Sequence, residues 1–224
     1  MGKQTTKQLK ALLRKESLAR MDALPPQKKL AAPAAILARL RQLAAHNGGP
    51  SIWKEAQRVS CFISMDHELD TKPILQALLS DGKDVFVPRI IDNPAFKLGG
   101  LDETGRSRRK QVMQMLRLLS VEEIGAFERS NYGIPEPPLD REEIFEHASA
   151  DLIICPGVVF SKDGRRVGYG GGFFDMYIRR VRALNPRVTV VGVGHECQLL
   201  QSDTEGQQIP VEETDQMLDS VLAA

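Results

Sequence analysis

Apolar positions along the chain change their spacing once, close to residue 51. Before that point they keep a helical period. Leu9, Leu12, Leu13, Leu18 and Met21 form one rough stripe, and "PPQ" at 25–27 ends that helix and opens another. Leu30, Ala34, Leu37, Leu40 and Ala44 recur at turns of a second amphipathic helix, with Pro33 expected at a kink or in its first turn. Two N-terminal helices over 5–45 are therefore predicted, and "HNGGPS" at 46–51 interrupts the chain.

Beyond 52 the pattern alternates between short, nearly continuous apolar runs and helical segments. "RVSCFIS" (58–64), "KDVFVPRI" (83–90), "VMQMLRLL" (112–119), "DLIICPG" (151–157) and "RVTVVGVG" (187–194) read as strands. "DTKPILQALLSDG" (70–82), "DREEIFEHA" (140–148) and a segment at about 173–184 read as helices. Strands that are apolar on both faces and separated by helices imply an α/β protein with a mainly parallel sheet covered on both sides. One domain spanning 1–224 is expected, with its α/β core over 52–224. Residues 92–111 and 201–208 read as irregular surface segments, the first a long mobile loop.

Charge and cysteine content narrow the classes. Lys plus Arg number 30 against 29 Asp plus Glu, so no polyanionic partner is implied and neither nucleic acid nor a membrane surface is expected. Cys61, Cys155 and Cys197 lack a metal or disulfide spacing and read as buried thiols of a reducing compartment. No run reaches the ~20 apolar residues of a membrane span. "MGKQTT" fits a loose myristoylation pattern, but a capping threonine explains Thr5 or Thr6 more economically. The basic, acid-poor start keeps a mitochondrial location as the alternative to a cytosolic one.

The candidate chemistry lies in "RVGYGGGFFD" at 166–175. It follows a buried strand by about ten residues and leads into a helix, where free N–H groups favour an anion. A phosphate is the expected guest. The stretch is not a Walker loop, since no Lys-Ser or Lys-Thr follows Gly172, and it is not G-x-G-x-x-G, since Phe173 holds the last position. Asp175 in the first helical turn suits the helix dipole and also a Mg²⁺ that bridges phosphate oxygens. A plain glycine turn is the competing reading.

"DLIICPGVVFSKDGRRVGYGGGFFD" resembles the signature of the 5-formyltetrahydrofolate cyclo-ligase family. "KALLR" at 10–14, "FISMDHELDT" at 62–71, "VFVPRI" at 85–90, "YGIPEP" at 132–137 and "IPVEETDQMLD" at 209–219 resemble further blocks in the same order. The resemblance implies a three-layer, phosphosugar-isomerase and CoA-transferase-like (Rossmann-like) fold, and ATP and Mg²⁺ driving 5-formyltetrahydrofolate to 5,10-methenyltetrahydrofolate; a monomer is expected. It implies that Lys10 and Arg166 act in catalysis. Lys10, Arg14, Arg166, Val167, Gly168, Tyr169, Gly170, Gly171, Gly172, Phe173 and Phe174 would bind ATP. Arg14, Ile63, Glu68, Tyr132 and the run from Tyr169 to Phe173 would bind the reduced folate. Asp175 and Asp215 would hold the metal.

Tyr169, Gly171, Phe174 and Thr214 depart from residues common in the family. His46, His67, His147, His195 and Cys197 suggest no function by their spacing. A binding protein that has lost turnover and an isomerase of phosphorylated sugars are the other readings of the same fold.

Overall fold

The computed structural model describes residues 5–44, 51–93, 110–200 and 208–224. The segments read as irregular at 92–111 and 201–208, and the break at 46–51, lie outside the described residues except at their ends. There Asp92 and Gln111 pair as the last and first residues of neighbouring strands.

The chain opens with α1 (Thr6–Asp22) and α2 (Pro26–Gln42), followed by one helical turn, α3 (Ile52–Glu55). Strand β1 (Arg58–Cys61), α4 (Lys72–Ser80), β2 (Asp84–Asp92) and β3 (Gln111–Leu118) come next. Two short strands, β4 (Glu128–Arg129) and β5 (Pro135–Glu136), precede β6 (Leu152–Cys155). A hairpin of β7 (Val159–Phe160) and β8 (Arg166–Val167) leads to α5 (Phe173–Leu184), β9 (Thr189–Gly194) and β10 (Ser220–Ala223). The central sheet runs β10-β9-β6-β1-β2-β3, parallel throughout except for the antiparallel β2–β3 pair. This is the expected α/β/α arrangement of three layers.

Alternation along the strands fills both faces. Val85, Val87, Leu152, Ile154 and Val191 pack beneath Ile36 and Leu40 of α2 and Ile74, Leu75 and Leu78 of α4. Phe86, Ile153, Cys155 and Val190 pack against Tyr177, Ile178 and Val181 of α5. Burial of such side chains is worth about 1.5–3 kcal/mol each before entropy is counted. The Ser60 and Tyr177 hydroxyls hydrogen-bond to each other inside the second layer.

The two N-terminal helices do different jobs, and their buried faces match the predicted ones only in part, at Leu13, Leu18, Met21, Leu37 and Leu40. In α2 the inward stripe is Ala32, Pro33, Ile36 and Leu40, while Leu30 is 81% exposed. Pro33 lies inside the helix rather than in its first turn. In α1 the buried residues are Lys10, Ser17 and Met21, and Leu12 is exposed. Leu13 and Leu18 pack on Val158, Val159 and Val167, so α1 rests on the β7–β8 hairpin rather than on the sheet. Ser17 Oγ donates to the Val158 carbonyl at 2.6 Å and fixes this contact.

The helix expected at 140–148 does not form. Arg117 N donates to the Glu142 carbonyl and Ile144 N to the Met115 carbonyl, so this stretch pairs along β3. Ile144 is fully buried there, and the Glu142 carboxylate accepts from Arg58 and Arg117. Tertiary pairing and two arginines outweigh the local helical preference. Strand β10 and the β7–β8 hairpin were not predicted either. Among the described residues no helix is long and apolar enough to cross a membrane.

Candidate active site

The carboxyl ends of the parallel strands open into a cleft of about 700 Å³, a size suited to a small-molecule ligand. Every residue assigned a site role in the sequence lines it, including Ile63, Glu68 and Tyr132 on one side and Lys10, Arg14 and Asp215 on another. Separate parts of the chain converge: α1, the loop after β1, strands β2 and β3, the turn between β4 and β5, the turn from β8 into α5, and the segment before β10.

The glycine turn is the centre of this arrangement. Gly170 has φ +106° and Gly172 has φ +64°, conformations that side-chain-bearing residues rarely adopt. Gly172 is the N-cap of α5, which turns the helix start into the cleft. Arg166 is not a loop residue but part of β8, and only 9% of it is exposed. Its Nη1 donates to the Pro156 carbonyl at 3.1 Å and its Nη2 to Asp175 Oδ1 at 2.8 Å. Its buried Nε has no partner among the described residues.

The first half of α1 buries a lysine because Lys10 and Arg14 face a polar site. Lys10 Nζ pairs with Asp215 and lies 3.1 Å from Glu212 Oε2. Arg14 Nε donates to the Gly168 carbonyl at 2.6 Å. Asp215 Oδ2 also accepts from the Glu212 backbone N–H, and Gln216 N donates to Asp175 Oδ1 at 3.1 Å. That last bond brings the segment bearing Asp215 against Asp175, so the two carboxylates expected to hold a metal belong to one cluster. Mg²⁺ commonly takes one or two carboxylates and completes its shell with phosphate oxygens and water, a role that Asp175 and Asp215 fit. No group of three or more His, Cys, Asp or Glu suited to a metal occurs among the described residues.

The opposite side is drier. Ile63 and Phe62 are buried, Tyr132 is 58% exposed, and Pro88, Ile90 and Met113 add apolar surface. Glu68 is buried among them and accepts the Met65 N–H at 2.8 Å. Burial pushes its carboxyl up to about 7, against the lowering effect of that hydrogen bond. Phe173 and Phe174 are half-buried at the start of α5, and Val167 is buried, presenting backbone to the cleft while its side chain meets α1.

Several cleft residues had not been singled out. Glu212 pairs with Lys10, and Glu136 accepts the Ile90 N–H at 2.9 Å while burial raises its pKa. Both stand inside stretches already recognised, "IPVEETDQMLD" and "YGIPEP", where only Asp215 and Tyr132 were chosen. Arg179 lies one turn beyond Asp175 on α5 and also lines the cleft. His195 is fully buried and its basicity is lowered by that burial, in keeping with a structural role. Cys61 and Cys155 are buried as expected, but Cys197 is only half-buried.

Known proteins resemble this chain over most of its length. A model described as "5-formyltetrahydrofolate cyclo-ligase family" matches residues 6–224. The chain belongs to the 5-formyltetrahydrofolate cyclo-ligase family. A cyclo-ligase from Mus musculus is 30% identical over 225 residues, covering 99% of this chain and 97% of the relative. One from Escherichia coli (strain K12) is 32% identical over 167 residues, covering 75% of this chain and 78% of the relative. The solved 5,10-methenyltetrahydrofolate synthetase of Aquifex aeolicus shares the fold with a TM-score of 0.66 at 21% identity, covering 96% of this chain and 89% of that one.

Proposed function

We propose that this chain, as one domain, converts 5-formyltetrahydrofolate to 5,10-methenyltetrahydrofolate, consuming ATP with Mg²⁺ and releasing ADP and phosphate. The observation that carries this reading is the two-sided cleft. Lys10, Arg14, Arg166 and the α5 N-terminus form a cationic side suited to a triphosphate, and Ile63, Glu68, Ile90 and Tyr132 form a drier side suited to a pterin.

The chemistry needs both sides at once. A formyl oxygen leaves poorly, so it first attacks the γ-phosphorus and ADP departs. The folate's N10 then adds to the activated carbon and loses its proton, and the C–O bond breaks so that the formyl oxygen leaves within phosphate. Phosphoryl transfer depends on alignment and on neutralising charge spread over the phosphate oxygens. Arg166, held by Pro156 and Asp175, offers donors at a fixed place, and Lys10 adds a second charge from α1. Mg²⁺ bound by Asp175 and Asp215 would neutralise phosphate charge. Phosphate oxygens would then pair with Lys10 and Arg166 in place of Asp215 and Asp175, which would be left to hold the metal. Glu68 would hydrogen-bond the pterin, and Tyr132, Tyr169 and Phe173 would pack against the folate.

Purified protein mixed with 5-formyltetrahydrofolate and MgATP is expected to develop the near-ultraviolet absorbance of the conjugated methenyl product. Omission of ATP should abolish it. A flat trace from folded protein in the complete mixture would reject the reading.

A further inference from the structure

Residues 168–172 read Gly-Tyr-Gly-Gly-Gly, so Tyr169 is the only side chain by which this loop can be held. Glycine loses more conformational freedom on ordering than any other residue, and a loop of this composition does not stay in place without a tether. At one end Arg14 Nε supplies one to the Gly168 carbonyl. The Tyr169 side chain supplies a second. Its hydroxyl lies 3.0 Å from His67 Nε2, and the two rings meet edge-on with centroids 5.7 Å apart.

His67 stands on firmer ground than the loop it touches. The connection from β1 to α4 satisfies its own polar groups. Thr71 Oγ1 donates to the Phe62 carbonyl at 2.9 Å and accepts the Ser64 N–H at 3.1 Å. Ser64 Oγ accepts the Thr71 N–H, and the Glu68 carboxylate closes the Met65–Glu68 turn. His67 lies within that turn and reaches across to the glycine loop. Burial, and then the neighbouring Glu68 carboxylate, with which the phenol also hydrogen-bonds, hold Tyr169 protonated, so its hydroxyl meets two residues of the same turn, His67 and Glu68.

We infer that His67 is a positioning residue: through Tyr169 it ties the rigid turn that carries Glu68 to the glycine loop, and so sets the shape of the cleft for the folate rather than the rate of the chemical step. The part concerning the folate rests on the function proposed above. The tether itself does not.

The test has a readout for each part. Amide hydrogen exchange of the full chain, without substrate, should quicken across 168–172 in His67→Ala by about 3- to 10-fold, the worth of one net hydrogen bond. Tyr169→Phe should do the same, the double variant should be no worse than either single one, and His67→Gln should restore part of the protection. Unchanged exchange in His67→Ala, or additive losses in the double variant, would overturn the tether. In turnover assays, His67→Ala should raise KM for 5-formyltetrahydrofolate, and for the ATP that shares the glycine loop, by a similar factor, with kcat within about twofold of the parent. A fall in kcat at unchanged folate KM would overturn the positioning role. Should the parent protein itself show no ATP-dependent product, the proposed function fails, while exchange still decides the tether.

Discussion

Lys10 and Asp215 stand 205 positions apart in the chain and meet as an ion pair inside the cleft. A second pair, Arg166 with Asp175, is joined to the first through the Gln216 N–H on Asp175. At the glycine turn the first and last quarters of the chain thus meet through charged side chains. A partly buried ion pair is a weak source of stability, since desolvation offsets much of its attraction. Its value here is that both cations and both carboxylates are already oriented toward a shared space.

Asp215→Asn separates metal binding from folding. Lys10 keeps Glu212 as a partner, so the thermal midpoint should move by only a few degrees. The Mg²⁺ concentration giving half-maximal turnover should rise at least ~10-fold, the loss expected even for outer partners of metal ligands. A Mg²⁺ titration of turnover at saturating ATP checks this, and an unchanged midpoint removes Asp215 from the metal site.

Arg166 serves two carbonyl or carboxylate partners with one rigid fork, which lysine cannot imitate. Arg166→Lys should lower kcat by about 10²- to 10³-fold, the range for losing a donor aimed at developing charge. Arg166→Ala leaves Asp175 without its cation and should cost about 3 kcal/mol, or roughly 6–12 °C in Tm for a chain of this size. Steady-state kinetics and thermal unfolding read the two effects separately. Full turnover in Arg166→Lys would remove the residue from phosphoryl transfer.

The parallel core was legible because its strands are apolar on both faces and its helices carry turn and cap signals. The site was legible because Arg166 to Asp175 keeps a recognisable order of residues. The failures have physical causes that a linear pattern does not contain. In α1 the predicted stripe is only part of the inner face: Leu13, Leu18 and Met21 do pack inward, but Lys10 and Arg14 turn in beside them because the interior there is a charged cleft. At 140–148 the chain prefers pairing with β3 and the arginines Arg58 and Arg117 to the helix its residues favour. His67 was passed over because its partner lies 102 positions away.

The face of α2 offers a direct check on one such correction. Leu30 is 81% exposed and Ile36 is fully buried, although the predicted stripe contained the first and not the second. Leu30→Glu should change stability by no more than about 0.5 kcal/mol. Ile36→Ala should cost about 2–5 kcal/mol through lost burial and a cavity. Urea unfolding of both variants decides between the two faces, and a larger loss for Leu30→Glu would restore the predicted one.

Glu68 gives stability a dependence on pH whose sign follows from its surroundings. Its carboxyl ordinarily titrates at 4.5 and is raised to about 7 in the folded chain, chiefly by burial. Between those values the folded protein retains a proton that the unfolded chain has released, so the contribution is complete below 4.5 and is lost as pH rises through 7. Glu68→Gln keeps an acceptor for the Met65 N–H but cannot ionise. The variant and the parent should therefore be closest in stability near pH 5, and by pH 8 the variant should be the more stable on the order of 3 kcal/mol. Thermal midpoints of both proteins measured from pH 5 to 8 test this. A difference that does not change with pH would mean that the Glu68 carboxylate is comfortable in its ionised form, and that the side of the cleft around it is wetter than its apolar lining implies.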